Sequence, residues 1–440
     1  VSRPVVRDPA PWQFPLPEER ILDNGLRLWR THLPGQRLVS VELVLPAPVH
    51  HEPSHVEGVA SVALHTSDEA TVDHPEIVEE LELQGAALGG SVAWHHSSLT
   101  LSVPTWRLEA ALPLFADVVR QPAFEEHSVA HHVEALDAAW RRRQATPQGR
   151  VWQQLRAILF GTNTREGRDL TGTPESLADI TSTEVRDWHA RFWRPTGATL
   201  VIAGDLDRIP DEALVARFTD WEAIPRPDTP TAPRARVGGC VVVDHPDAAQ
   251  SVIRCAVLTP GRRDPDWAAL KLGGHAMAGA FSSRLNLELR ERRGFTYGVS
   301  GGVVARHQDG WFTVGASVAT EATAEAVAHI HDQVALAKAF TPQEIRDCAR
   351  FLVQVSPLSN ETAADIAHQS ALLAAAGEHP RFVNEISASL ERTSAEKVTG
   401  VWRHRVRPAD LTTVIVGPAE RVSADLTRHG ITHEIRPASA

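Results

Sequence analysis

The chain repeats itself once. The apolar run Thr199-Leu200-Val201-Ile202-Ala203-Gly204 returns as Thr412-Thr413-Val414-Ile415-Val416-Gly417. Arg194-Pro195 returns as Arg407-Pro408, Val185 as Val398 and Ser176-Leu177 as Ser389-Leu390, each displaced by 213 positions. One constant offset over four landmarks implies two copies of a domain of roughly 210 residues. Between the copies, Ile224 to Pro233 carries four prolines in ten residues, the composition of a stiff, extended connection. The division is a first domain over 1–223, a proline-rich linker over 224–236 and a second domain over 237–440.

Each copy mixes strands and helices. Asn24-Gly25 before the alternating Leu26-Arg27-Leu28 predicts a turn and then a strand, and Val41 to Leu45 predicts a second strand. Val59, Val62 and Ala63 share one helical face between Gly58 and His65, and Ser128 to Arg143 reads as a longer helix. Thr181 with Glu184 forms a capping box for the helix through Trp188. In the second copy, Leu285 and Leu289 stripe a helix over Phe281 to Arg292, with Gly294 as its stop. Thr296 to Arg306 and Trp311 to Val318 flank Asp309-Gly310, a hairpin signal. Val327, Ile330 and Val334 stripe the next helix. Strands pairing back and forth beside banked helices predict an α+β fold: two tandem domains, each a mostly antiparallel sheet with helices packed on it, arranged as a clamshell.

Composition removes several functions. The formal net charge is −11 without a long basic run, which argues against nucleic acid or an anionic membrane as partner. Three cysteines without a CxxC spacing disfavour a disulfide framework or thiolate zinc site and fit a reducing, cytoplasmic setting. Val1 to Glu18 has no apolar run, so neither a signal peptide nor a transmembrane helix is expected.

Few residues carry candidate chemistry. His51-Glu52-Pro53-Ser54-His55 spells HExxH, but Pro53 removes a backbone donor from the helix that motif needs, so a solvated, His-rich loop is expected. His127 and His131, four apart, lack a third ligand and read as surface histidines. Gly89-Gly90 reads as a break or bulge in a strand. No glycine-rich phosphate loop, GxSxG or reactive-cysteine context occurs. What stands out is Tyr297, the single tyrosine among 12 Trp and 12 Phe, seven residues after Arg290. A guanidinium and a phenol are well suited to gripping a developing oxyanion.

The tandem copies, Asn24-Gly25-Leu26, Glu57-Gly58-Val59-Ala60, Arg194-Pro195, and above all Phe281-Ser282-Ser283-Arg284-Leu285 leading to Leu289-Arg290-Glu291, resemble the insulinase/pitrilysin family, the inverzincin peptidases. The likeness covers nearly the whole chain and is strongest to shorter members that work as two-chain assemblies. Cleaving members carry HxxEH on a first-domain helix. The matching run here is Ser61-Val62-Ala63-Leu64-His65, in which Ser61 replaces the first His and Leu64 the general-base Glu. The third-ligand position falls at Ala138 or Ala139, beside Asp137. One His and one neighbouring Asp are too few for catalytic zinc, so the resemblance implies a chain that holds no metal or cofactor and does not hydrolyse peptides alone.

The family's second-domain Arg and Tyr, in contrast, match Arg290 at a helix end and Tyr297 on the following strand. The resemblance therefore implies a zinc-free subunit of a heterodimeric metallopeptidase. Its partner would be a homologous HxxEH chain that brings the zinc, and its substrate a peptide, leader-peptide removal being one plausible task. A structural or peptide-binding subunit, like the family members built into respiratory complexes, is the alternative.

Overall fold

The computed structural model describes residues 12–207, 209–225, 236–306 and 308–437; most of the 224–236 linker lies outside them. Twelve strands make two six-stranded sheets. In the first half these are β1 (Glu18–Ile21), β2 (Arg27–His32), β3 (Leu38–Leu45), β4 (Ala87–Val92), β5 (Ser97–Pro104) and β6 (Thr199–Gly204). The second half has β7 (Cys240–Asp244), β8 (Gln250–Pro260), β9 (Val299–Ala305), β10 (Asp309–Ala319), β11 (Thr412–Gly417) and β12 (Glu434–Arg436). Their orders, β1-β2-β6-β3-β5-β4 and β12-β7-β11-β8-β10-β9, superimpose strand for strand except at one edge. There the first sheet is closed by a strand from the beginning of its half and the second by a strand from the end. The repeated apolar runs are β6 and β11, fully buried mid-sheet strands whose near-continuous apolar sequence suits burial on both faces.

Both faces are buried because the halves exchange helices. One face of each sheet packs on helices of its own half. On the other face, Val151, Leu155 and Ile158 of the Pro147–Phe160 helix pack against Val241, Val243, Val252 and Val414 of the second sheet. Reciprocally, Ile366, Ala367 and Ala371 of the Ala363–Ala375 helix pack against Trp29, Val44 and Val201 of the first. Each half thus completes the other's core. Polar contacts follow the same seam: His368 meets the buried Glu42 at 3.3 Å, and Arg306 of the second half pairs with the buried Glu166 of the first.

The local readings mostly match. Asn24-Gly25 makes the β1–β2 turn with Gly25 at φ +86°, and Thr181 and Glu184 form their capping box. Val327, Ile330 and Val334 are buried on the Thr323–Val334 helix. Three differ. Asp309 and Gly310 lie inside β10, paired with Pro260 and Thr259 of β8, so the chain reverses before them, where Arg306 N–H donates to the Asp309 carbonyl at 2.8 Å. Gly89-Gly90 is no break: both pair in register with Thr100 and Leu99. Instead, a Cβ at Gly90 would meet the Ser98 carbonyl at 2.6 Å and Leu64 Cδ1 at 3.0 Å, so close packing demands the glycine. The helix expected over Phe281 to Arg292 starts later, and Asn286–Arg292 is wound as a π-helix.

Candidate functional site

The π-wound segment ends in a well-braced loop. Gly294, at φ +65°, takes the left-handed conformation that stops the helix, and its N–H donates to the Arg290 carbonyl at 3.1 Å. Phe295 N–H reaches the Leu289 carbonyl at 2.9 Å. Asn286 ties the loop to the sheet: its side-chain amide donates to the Val299 carbonyl at 3.0 Å and accepts from Val299 N–H at 2.8 Å, while also donating to the Ala280 carbonyl. Thr296 Oγ1 closes a local turn with Gly298. Glu288, almost wholly buried, accepts from Arg292 and Arg293. These bonds fix the backbone on both sides of Tyr297. Widened turns of this kind recur at functional sites because they redirect side chains without ending the helix.

On that frame Arg290 and Tyr297 are presented differently. The Arg290 guanidinium carbon sits 4.1 Å from the centroid of Phe281, a cation–π contact, and the group lies 3.6 Å from Glu291. Tyr297 is 96% exposed. It sits in the connection two residues before β9, not on the strand as expected, because the Asn286 bonds delay pairing until Val299. No hydrogen bond joins the two side chains, so they form two separate donors on one rigid segment. Sequence reasoning named Phe281 only within the family-like run and at the start of the expected helix and gave it no role, and it missed Asn286, whose one signal was its closeness to Arg290.

The first half's metal-helix region is built for packing. Ser61 and Leu64 are buried on the Val59–Thr66 helix, Leu64 against Gly90 of β4. His65 stacks on His132 with centroids 5.9 Å apart, and burial, aided by His132, pushes its pKa below the usual histidine value against the pull of Asp68. His132 is bonded to Glu69 at 2.7 Å. Asp137 pairs with Arg141 at 2.7 Å. His127 is exposed beside Glu125. Among the described residues no three His, Cys, Asp or Glu side chains converge as a metal would require, so the residues present do not fit a catalytic zinc.

The HExxH-like string proves structural, and the solvated-loop expectation fails at Glu52. This carboxylate is buried and accepts from Ala60 N–H at 3.0 Å, in the first turn of the Val59–Thr66 helix, where helix dipole and free N–H groups favour an anion. Arg165 grips its other oxygen at 2.6 Å. Burial still raises the Glu52 pKa above the ordinary carboxylate value, although Arg165 and the backbone donors oppose it. Next to it, Glu57 pairs with Arg168 and Glu166 with His50, Arg156 and Arg306.

Known proteins share both sequence and shape with this chain. Residues 29–173 match the family model described as insulinase (peptidase family M16), and residues 179–351 the one described as peptidase M16 inactive domain. An uncharacterised zinc protease of Mycobacterium leprae is 28% identical over 63% of this chain and 64% of its own length. The chain thus spans slightly under two thirds of that relative. A probable zinc protease of Escherichia coli is 24% identical over 44% of this chain and 22% of its own length. In shape, the chain is similar to a peptidase M16 inactive domain from Pseudomonas fluorescens, with TM-score 0.82 and 22% identity over 91% of this chain and 98% of that one. It is also similar to a chain of complex III2 from Candida albicans, with TM-score 0.77 and 14% identity over 93% and 99%. Two adjoining family models covering most of the sequence, on a fold of two matching sheets, place this chain in the insulinase family, peptidase M16.

Proposed function

We propose that this chain is the zinc-free subunit of a heterodimeric M16 peptidase. The observation that carries the reading is the contrast between the halves: Ser61 and Leu64 buried as packing residues, Tyr297 almost fully exposed on a braced loop beside Arg290. An exposed phenol on a backbone so braced suits an acceptor that arrives with another molecule. Zinc, its activated water and the general base would come from a homologous HxxEH-bearing partner. This chain would enclose the peptide and direct the Arg290 guanidinium and the Tyr297 hydroxyl at the scissile carbonyl oxygen as it gains charge. β9, the edge strand that begins two residues after Tyr297, offers backbone groups beyond Val299, whose own N–H and carbonyl Asn286 already holds, for aligning an extended peptide. Enclosure favours peptides over folded proteins, with leader-peptide removal as the assigned task. No described helix is long and apolar enough to cross a membrane.

The test is reconstitution with an HxxEH-bearing M16 homologue from the same organism. Mixing the two purified chains restores zinc-dependent peptide cleavage that neither shows alone. A pair that assembles yet cleaves nothing, with peptides of any length, would leave the structural-subunit alternative standing, which the fold likeness to the complex III2 chain keeps in view.

A further inference from the structure

A cavity of about 300 Å³ opens where the two hairpins of the edge strands meet across the seam. Ala93 to His96 of the β4–β5 turn form one wall and Val304 to Arg306 of the β9–β10 turn another, with the end of the Ala363–Ala375 helix closing it. Trp94 and Trp311 supply flat apolar surface, and Arg156, Arg262 and Arg306 supply charge, with no carboxylate among the described lining residues. The Arg156 guanidinium lies 3.7 Å over Trp94 and Arg306 5.5 Å from Trp311.

The balance of charge around this cavity is positive. Glu166, behind the wall, serves both Arg156 and Arg306, and Arg306 also meets Asp309 at 3.3 Å. Even so, Arg156 Nη2 and Arg306 Nη1 are buried without a hydrogen-bond acceptor. Burial brings the Arg156 pKa down to about 9, opposed by Glu166 and helped by Arg306 and Arg165. Lys271, largely buried, stands behind β9 with Nζ 3.3 Å from the Val303 carbonyl. Arg262 is the clearest sign. It lines the cavity, is only partly exposed, and among the described residues donates no hydrogen bond and makes no ion pair, feeling only the more distant field of Glu378. A partly exposed guanidinium without an acceptor in the chain is available to an anionic ligand.

We propose that this cavity binds the free C-terminal carboxylate of an extended peptide whose backbone pairs along the outer edge of β9 beyond Val299, whose own groups Asn286 already holds. β9 runs from Val299 toward the cavity at Val304 and Ala305, so a peptide lying parallel to it brings its carboxyl end to the arginines. Its last side chain then rests in the cavity beside the apolar Val304, Leu372 and Ala375, and Arg262 makes the charge-assisted bonds it lacks within the chain. The inference shares with the proposed function only the premise that the ligand is a peptide. It needs no partner subunit, so it is tested on the isolated full chain and survives or falls separately from reconstitution.

The experiment is fluorescence anisotropy with an N-terminally labelled hexapeptide ending in Ala-Leu, made as free acid and as amide. The free acid binds at least about tenfold more tightly than the amide, the usual worth of a charge-assisted pair in a partly desolvated site. Arg262→Gln, which breaks no bond within the chain, removes that difference while leaving the melting temperature unchanged. Ala376→Phe, which fills the cavity from the helix end, weakens the acid in the same way. Equal binding of acid and amide overturns the proposal, as does an Arg262→Gln protein that still discriminates between them. Displacement of the peptide by millimolar inorganic phosphate also overturns it, in favour of a site for small anions.

Discussion

Comparing the connections that enter the two edge strands shows how one scaffold carries two fates. In the first half, the regular helix Ile77–Leu83 stops at Gly85, φ +66°, and only Ala86 separates that glycine from β4. In the second, the π-wound Asn286–Arg292 stops at Gly294, φ +65°, and Phe295, Thr296, Tyr297 and Gly298 intervene before β9. The same left-handed stop is used twice, but the second connection is longer, and the added residues hold Tyr297. Meanwhile the helix that resembles a metal site has become core. What the comparison teaches is that the sheets and their order are common property, whereas chemistry resides in a few residues of connection and in which helix face is polar.

Four sets of variants sharpen or break this contrast, from the largest expected effect to the smallest. Glu52→Ala removes the partner of the buried Arg165 and the brace on the Val59–Thr66 helix. Breaking a buried pair from one side costs about 3–5 kcal/mol, read as a large drop in denaturant midpoint. If the fold barely notices, the first half's polar cluster is not structural. Arg290→Ala and Tyr297→Phe show the opposite profile. In the reconstituted pair each lowers kcat by about a hundred- to a thousandfold, equivalent to about 3–4 kcal/mol, while thermal unfolding of this chain stays put. Normal turnover in both variants removes the assigned roles.

Asn286→Ala lies between these extremes. Losing its bonds to Val299 and Ala280 leaves buried backbone groups unmet, so about 2 kcal/mol of stability goes, and turnover falls because Tyr297 is no longer held. Hydrogen exchange at Val299 N–H, fast in the variant and slow in the parent, separates positioning from global loss.

Glu344→Gln tests the contact that anchors the start of the same helical segment. Burial alone would raise this carboxyl, but hydrogen bonds from Arg284 and Thr341 win and hold it at about 2. A folded-state value below the unfolded one means the contribution is complete above the unfolded pKa of about 4.5 and fades as pH falls toward 2. Because the pair is partly solvent-screened, about 1 kcal/mol is expected at pH 7. The stability gap between parent and variant should close as pH drops from 5 to about 2; a gap that stays constant would show that charge is not its source.

Much of this could be read along the chain. The capping box at Thr181, the turn at Asn24-Gly25 and the stop at Gly294 depend on a few neighbouring residues, and each formed as expected. The hairpin expected at Asp309-Gly310 turns before that pair because the register against β8, set far away in sequence, outweighed the local turn preference. Glu52 was misread for a similar reason: nothing near it in sequence announces Arg165, 113 residues on. At the candidate site, Arg290 and Tyr297 were legible by type and spacing, whereas the Asn286 bonds and the stacking of Arg290 on Phe281 were not.

By itself the sequence determined the duplication, the α+β class and the loss of HxxEH at Ser61 and Leu64, since periodicity and residue identity are local properties. Only the tertiary structure decided that each half lends a helix to the other's sheet, that three arginines meet around a shared cavity, and that Tyr297 stands free while Leu64 does not. Those outcomes depend on which distant surfaces come together, and burial, which sets the energy of every charge involved, exists only once they have.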